Sequence, residues 1–202
     1  MTRIRRLLAL VGAALVLTAC GAGSSPPPAA PPDSTSAAPS HPPLPRRPAT
    51  LRLDGLHPCD LLPPAQVKQL GFGPPDWAQI NGDGLGSLEC GWAPLMLKPS
   101  AVWIAAAVVR RGAEYYLGSV TGAQVVQVGG FPAVQTATTW LSADKHCVLY
   151  VDTAPGQTLS VYFENSKGDF PGGMTHQVAC QQASKLAELL LANLRSRTAQ
   201  PG

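Results

Sequence analysis

A chain of 202 residues with a formal net charge of +3 is long enough for one domain with a core of its own after its ends are set aside. The positive balance belongs to those ends, because from residue 51 onward ten Lys and Arg face eleven Asp and Glu, a net of −1. That stretch has no basic run interleaved with aromatics, so the positive footprint of a nucleic-acid binder is missing and nucleic acid is not expected as a partner.

In chain order, Arg3, Arg5 and Arg6 come first, followed by an apolar run of eleven residues, 7–17. Early positive charge is held on the cytoplasmic side of a membrane. A spanning helix needs about 20 apolar residues, so this run fits a signal-peptide core and is too short for a permanent span. It ends in Leu17-Thr18-Ala19-Cys20, which resembles the lipobox of bacterial lipoproteins. The resemblance implies cleavage after residues 1–19 and transfer of a diacylglyceryl group to the thiol of Cys20. Cys20 is also the odd member of five cysteines, and the four that remain can pair completely. Two or three acyl chains anchor stably where one does not. The expectation is a lipid-anchored protein on the extracytoplasmic face of the cell membrane; the rival is an ordinary secretory signal with an incidental cysteine.

Residues 20–52 form the next section. Ten prolines fall within residues 21–50, with alanine and serine supplying most of the remainder. Such composition has too little apolar bulk for a core, and its proline-rich form rises ~3.1 Å per residue. It reads as a spacer, with a docking motif for a proline-binding partner as the alternative. All twelve aromatic residues and the other four cysteines lie further on. Residues 53–197 are therefore expected to fold as a single domain without internal repeats.

Within that domain, residues 64–70 read as a short helix, since proline is tolerated in a first turn and Gly71 suits a left-handed stop. Residues 87–92 and 101–109 read as strands, the second buried on both faces, and residues 110–117 as a short helix. Segments 124–128 and 133–138 flank Gly129-Gly130-Phe131-Pro132 as a hairpin-type connection. Segments 147–152 and 159–163 flank Ala154-Pro155-Gly156 in the same way. The strongest period comes last. Cys180, Ala183, Ala187, Leu190 and Leu194 recur at helical spacing, while Gln181, Lys185, Glu188 and Arg195 avoid that stripe. Strands closed by one long helix predict an α+β domain: an antiparallel sheet with the long C-terminal helix packed on one face.

Cys59, Cys90, Cys147 and Cys180 meet an oxidising compartment if the chain is exported, and two disulfides are the default there. Of the three pairings, Cys59–Cys90 with Cys147–Cys180 keeps each bridge within one half of the domain. Each closes a loop of about thirty residues, worth roughly 3–4 kcal/mol in the chain-entropy model. The rival is a zinc site drawn from His146, Cys147, His176 and Cys180, because His176 and Cys180 share a helical face. Competition from oxidation and the lack of any Cys-x-x-Cys stand against it, so no metal and no other cofactor is expected.

Cys59-Asp60-Leu61-Leu62 before a short helix, Cys90-Gly91-Trp92, Val128-Gly129-Gly130-Phe131-Pro132-Ala133, Cys147-Val148-Leu149-Tyr150-Val151 and a helix entered through Cys180 occur in that order. With the lipobox and the spacer, this order resembles an actinobacterial lipoprotein family of unknown function, the domain-of-unknown-function family 3558 (DUF3558). The likeness covers about residues 56–194. It departs at Pro63, where related sequences often carry a capping threonine, and in the bulkier Gly-Gly-Phe-Pro turn. The resemblance implies a cell-wall-facing α+β domain with two disulfides, and no activity.

Motifs of known chemistry are incomplete. Ser142-Ala143-Asp144-Lys145 matches the Ser-x-x-Lys of penicillin-recognising enzymes, yet the Ser-Asp-Asn and Lys-Thr-Gly motifs are absent. In Asn81-Gly82-Asp83-Gly84-Leu85-Gly86, leucine takes a calcium-ligand position and Trp92 stands where the bidentate glutamate belongs, so it reads as a turn. His57 reads as a loop histidine. Arg110-Arg111 beside Tyr115-Tyr116 reads as a solvated strand end, with an anion- or sugar-binding surface as the alternative. The expectation is a non-catalytic binding or accessory domain, not an enzyme, recognising a protein partner, a cell-wall component or a small ligand. An envelope-modifying enzyme whose site assembles only in three dimensions, and a sensor-like domain coupled to membrane signalling, are the alternatives.

Overall fold

Segments rich in valine, aromatics and alanine, separated by glycine and proline, become strands when one side of each can face a shared core. The computed structural model of the protein describes residues 43–75, 87–137 and 143–199. In it these segments form β1 (Leu88–Trp92), β2 (Ala101–Val108), β3 (Gln124–Val128), β4 (Phe131–Thr136), β5 (His146–Ala154) and β6 (Gln157–Asn165). They make one six-stranded sheet of order β1-β2-β6-β5-β4-β3, antiparallel at every pairing. Three helices accompany it: α1 (Pro64–Gln69), α2 (Ala113–Ser119) and α3 (His176–Thr198). The α+β architecture expected from the sequence is the one observed.

Side-chain alternation sorts the sheet into two faces. Cys147, Leu149 and Val151 of β5, with Leu159, Val161 and Phe163 of β6, point into the main core. There they meet α3, which packs on β5 and β6. The helix begins at Thr175, whose side-chain oxygen accepts a hydrogen bond from Val178 N–H and so satisfies one of the free donors of the first turn. Its buried side is broader than the expected stripe. Ala179, Leu186 and Leu191 join Cys180, Ala183, Ala187, Leu190 and Leu194, while Gln181, Lys185, Glu188 and Arg195 stay exposed. A width beyond one row suits a helix lying on a sheet rather than along a single partner helix. On the opposite face, α2 packs against β4 and β5, and the Tyr116 ring stacks on Tyr150 at 3.6 Å between centroids.

Several boundaries differ from expectation for local reasons. The Gly129-Gly130 pair alone makes the β3–β4 turn, with φ of 55° and 82°. Two residues of positive φ match the twist of a tight hairpin, so Phe131 and Pro132 enter β4, opposite Val128 and Gln127. Helix α2 begins at Ala113, not residue 110, because Gly112 is still extended at its N-cap. In β2 only residues 105–108 are buried on both faces; Val102 and Ile104 remain half-buried. The chain ahead of residue 53 is also engaged. Leu51 N–H donates to the Thr153 carbonyl at 2.8 Å, Leu53 N–H donates to Gln157 Oε1 at 2.7 Å, and both leucines are buried.

Candidate functional site

The four domain cysteines pair as Cys59–Cys90 and Cys147–Cys180, with S–S distances of 1.96 and 2.08 Å. The first ties the 3-10 turn Pro58–Leu61 to β1, and the second ties the start of α3 to β5. His176 does come within 3.5 Å of Cys180 Sγ, and Cys147, His176 and Cys180 offer ligand atoms within 4.8 Å of one another. Both sulfurs are bonded, however, and a metal ligand must be a thiolate. His146 lies on the other face of β5, as a neighbour of Cys147 in a strand must, and its ring sits 6.2 Å from that of Tyr162. The sketched zinc ligands are therefore divided between two sides of the sheet.

The remaining candidates take structural positions. His57 Nδ1 accepts from Cys59 N–H and caps the 3-10 turn. The Arg111 guanidinium lies 4.2 Å from the Tyr115 ring centroid, while Tyr116 is committed to Tyr150. Cys20, Ser142 and residues 81–86 lie outside the described residues. Lys145 Nζ donates to the Ser166 carbonyl at 3.4 Å.

What the sequence reading missed is a concave, mainly apolar surface where α1, the β1–β2 loop and α3 meet. Helix α1 follows Pro63 without a side-chain cap and ends at its C-cap Leu70, ahead of Gly71, whose φ is 71°. The reversal carries Phe72 back toward β1, where it forms an isolated bridge with Pro94. Gly73 N–H donates to the Ala93 carbonyl at 3.0 Å and Leu95 N–H to the Gly71 carbonyl at 2.9 Å. The Phe72 ring thereby lies tilted against Trp103 at 4.9 Å between centroids; Trp103 lies 4.9 Å from Phe163, which in turn lies 5.7 Å from Phe170. Phe72, Trp103 and Phe170 form the base of a groove of about 400 Å³, with Leu189 of α3 on one wall and Lys98, Gln182 and Lys185 as its polar groups. Beside the groove, between its lining residues Pro94 and Pro99, runs the apolar segment Leu95-Met96-Leu97.

Several titratable groups have displaced equilibria. Burial, with Tyr116 beside it, pushes the Tyr150 hydroxyl up to about 12. Burial and a 2.6 Å hydrogen bond donated to Glu164 raise that of Tyr162. Asp152 is raised by burial, an effect the Arg47 guanidinium at 3.1 Å opposes and Glu114 reinforces. Hydrogen bonds from Asn165 and Ser100 lower Asp169. Among the described residues no helix is long and apolar enough to cross a membrane.

A family model described as "Protein of unknown function (DUF3558)" matches residues 15–193. No curated protein and no solved structure matches the chain.

Proposed function

We propose, from the premise that the chain belongs to the DUF3558 family of proteins of unknown function, that it is a lipoprotein displaying a non-catalytic binding domain outside the cytoplasmic membrane. Its two disulfides suit an oxidising, extracytoplasmic compartment. Lipid on Cys20 is the anchor in this reading. Cys20→Ala is expected to abolish fatty-acid labelling and either release the protein from membranes or leave it as precursor; normal maturation with label retained would contradict the anchor.

The observation that carries the binding reading is the groove beside the β1–β2 loop. An apolar aromatic base with a few polar groups at the edge is the usual make-up of a ligand or partner site. Its wall residue Leu189 provides the test. A photo-crosslinking residue at position 189 should give discrete adducts in intact cells, whereas one at exposed Val125 on β3 should not. Equal labelling from both positions would overturn the assignment of the surface. Turnover of envelope material by the purified protein would replace the non-catalytic reading with the enzyme.

A further inference from the structure

Among the described residues, four of the six exposed large apolar side chains gather at one end of the sheet, with Tyr115 and Val125 lying elsewhere. Leu95, Met96 and Leu97 are 65, 83 and 71% exposed, and Leu70, beside them across the Leu95–Gly71 hydrogen bond, is 45% exposed. Isolated exposed leucines are ordinary, but a contiguous group marks a surface that meets something apolar. The group is presented by a loop fixed at both ends. Leu95 is bonded to the end of α1 and Leu97 N–H donates to the Pro94 carbonyl at 2.8 Å. Ser100 donates through N–H and Oγ to the Asp169 carboxylate at 2.8 and 3.0 Å. Leu97 holds a φ of 55°, a left-handed conformation that glycine adopts more readily, so an apolar side chain stands at a turn position that does not favour it.

Lysines lie at this end of the domain. Lys98 belongs to the loop and lines the groove together with Lys185, Lys68 lines one concavity with Leu95, and Lys167 lines another with Leu97. None of the four has an ion pair within the described residues. Among the described residues the neighbouring carboxylates are Asp60, Glu164 and Asp169; Glu164 accepts from Tyr162, and Asp169 from Ser100 and Asn165. A protruding apolar tip backed by cations that have no ion pair among the described residues is complementary to the two-phase surface of an anionic bilayer. Apolar side chains enter the headgroup–acyl boundary, and lysine stems lie along it with their ammonium groups at the phosphates. A peptide partner would instead seat its own side chains in the groove and leave Leu95, Met96 and Leu97, none of which lines it, exposed.

We infer that the Leu95-Met96-Leu97 tip is a membrane-contact element, inserting into an anionic lipid surface while Lys68, Lys98, Lys167 and Lys185 engage its headgroups. The inference rests on reading this end of the domain as its binding surface and names the lipid surface as the partner. The described chain begins at residue 43, near the β5–β6 turn, at the opposite end of the sheet from this loop. The eight residues of β2 span only ~26 Å, whereas the 23 residues from Cys20 to Pro43 reach up to ~75 Å. An anchor at Cys20 is therefore compatible with this loop facing the bilayer.

The test removes the anchor and asks whether the loop suffices. The chain from Gly21 onward, whose described fold lies wholly downstream of that cut, is sedimented with phosphatidylglycerol–phosphatidylcholine vesicles and with pure phosphatidylcholine vesicles. Binding to the anionic vesicles should fall with salt and drop at least tenfold in Leu95→Ser/Met96→Ser/Leu97→Ser. Lys98→Gln/Lys185→Gln should weaken anionic binding severalfold and leave any zwitterionic binding unchanged. The exposed sites make both variants fold as the parent does, which a thermal melt checks. Equal sedimentation of parent and triple serine variant, or no sedimentation of the parent with anionic vesicles, overturns the inference. If Leu189 adducts to a protein or soluble amphiphile persist in that outcome, the binding surface stands and only the lipid partner falls. Loop-dependent vesicle binding without Leu189 adducts instead retains membrane contact and removes the groove as a site.

Discussion

Leucines in two parts of this molecule meet opposite fates. On α3, Leu186, Leu190, Leu191 and Leu194 are buried, while Leu70, Leu95 and Leu97 at the other site are 45 to 71% exposed. The first set recurs at helical spacing against the sheet, so each side chain adds to one continuous core. The second set stands in a helix end and a turn bounded by Pro94 and Pro99, with backbone geometry that directs it outward. Identical chemistry therefore holds the fold together in one place and is left available for contact in the other. Perturbing each region by comparable substitutions separates these roles.

The largest effect is expected at Leu190, which is fully buried. Leu190→Ala should cost about 2–5 kcal/mol through lost transfer free energy and the cavity left behind, read from denaturant midpoints with the disulfides intact. Removing Cys59–Cys90 by double alanine substitution should cost roughly 3–4 kcal/mol in the chain-entropy model for its 31-residue separation. It should also loosen the 3-10 turn from β1, and a nonreduced digest of the parent should show both bridges. A smaller loss is expected at Asn193, where α3 meets the first helical turns. Its Nδ2 donates to the Leu61 carbonyl and to Gln66 Oε1, each at 2.6 Å. Asn193→Ala should cost about 1–2 kcal/mol, measured in the same titration.

Asp152 provides a pH-dependent comparison at the end of the sheet remote from the loop. Its carboxyl is raised above 3.8, first by burial, so the folded state holds the proton more tightly than the unfolded state. Its contribution to stability is therefore fullest at low pH and diminishes as pH rises from 3.8 through the folded-state value. Asp152→Asn does not titrate. The stability of the parent relative to this variant should accordingly fall as pH rises from 3.8 through the folded-state value; a rise over that interval would reverse the sign. Surface positions come last. Glu188→Ala should stay within about 0.5 kcal/mol.

Much of α3 was legible because a helix of 23 residues repeats its burial pattern several times, and period is the signal a sequence carries best. The limits of β3 were equally clear, since turn-forming Gly129 and Gly130 follow it directly. The cysteine pairing followed from proximity in the chain, which works when each bridge joins neighbouring elements. The candidate groove was not legible for the converse reason. Phe72, Trp103, Phe170 and Leu189 come from four separated segments, and no period or spacing connects them. Nor does the local sequence state whether Leu95-Met96-Leu97 is covered; that depends on α1 ending ahead of Gly71 and on Ser100 being held by Asp169. The rival zinc site, set aside in favour of the disulfides, also meets a register obstacle at His146, because adjacent residues of a strand face opposite sides.

The division between a structural and an available set of leucines is tested most directly by denaturant titration of Leu190→Ala beside Leu95→Ser/Leu97→Ser, both with disulfides intact. The account predicts a midpoint loss equivalent to about 2–5 kcal/mol for the first and within about 0.5 kcal/mol for the second. Comparable losses in the two variants, or a larger one from the loop pair, would contradict it.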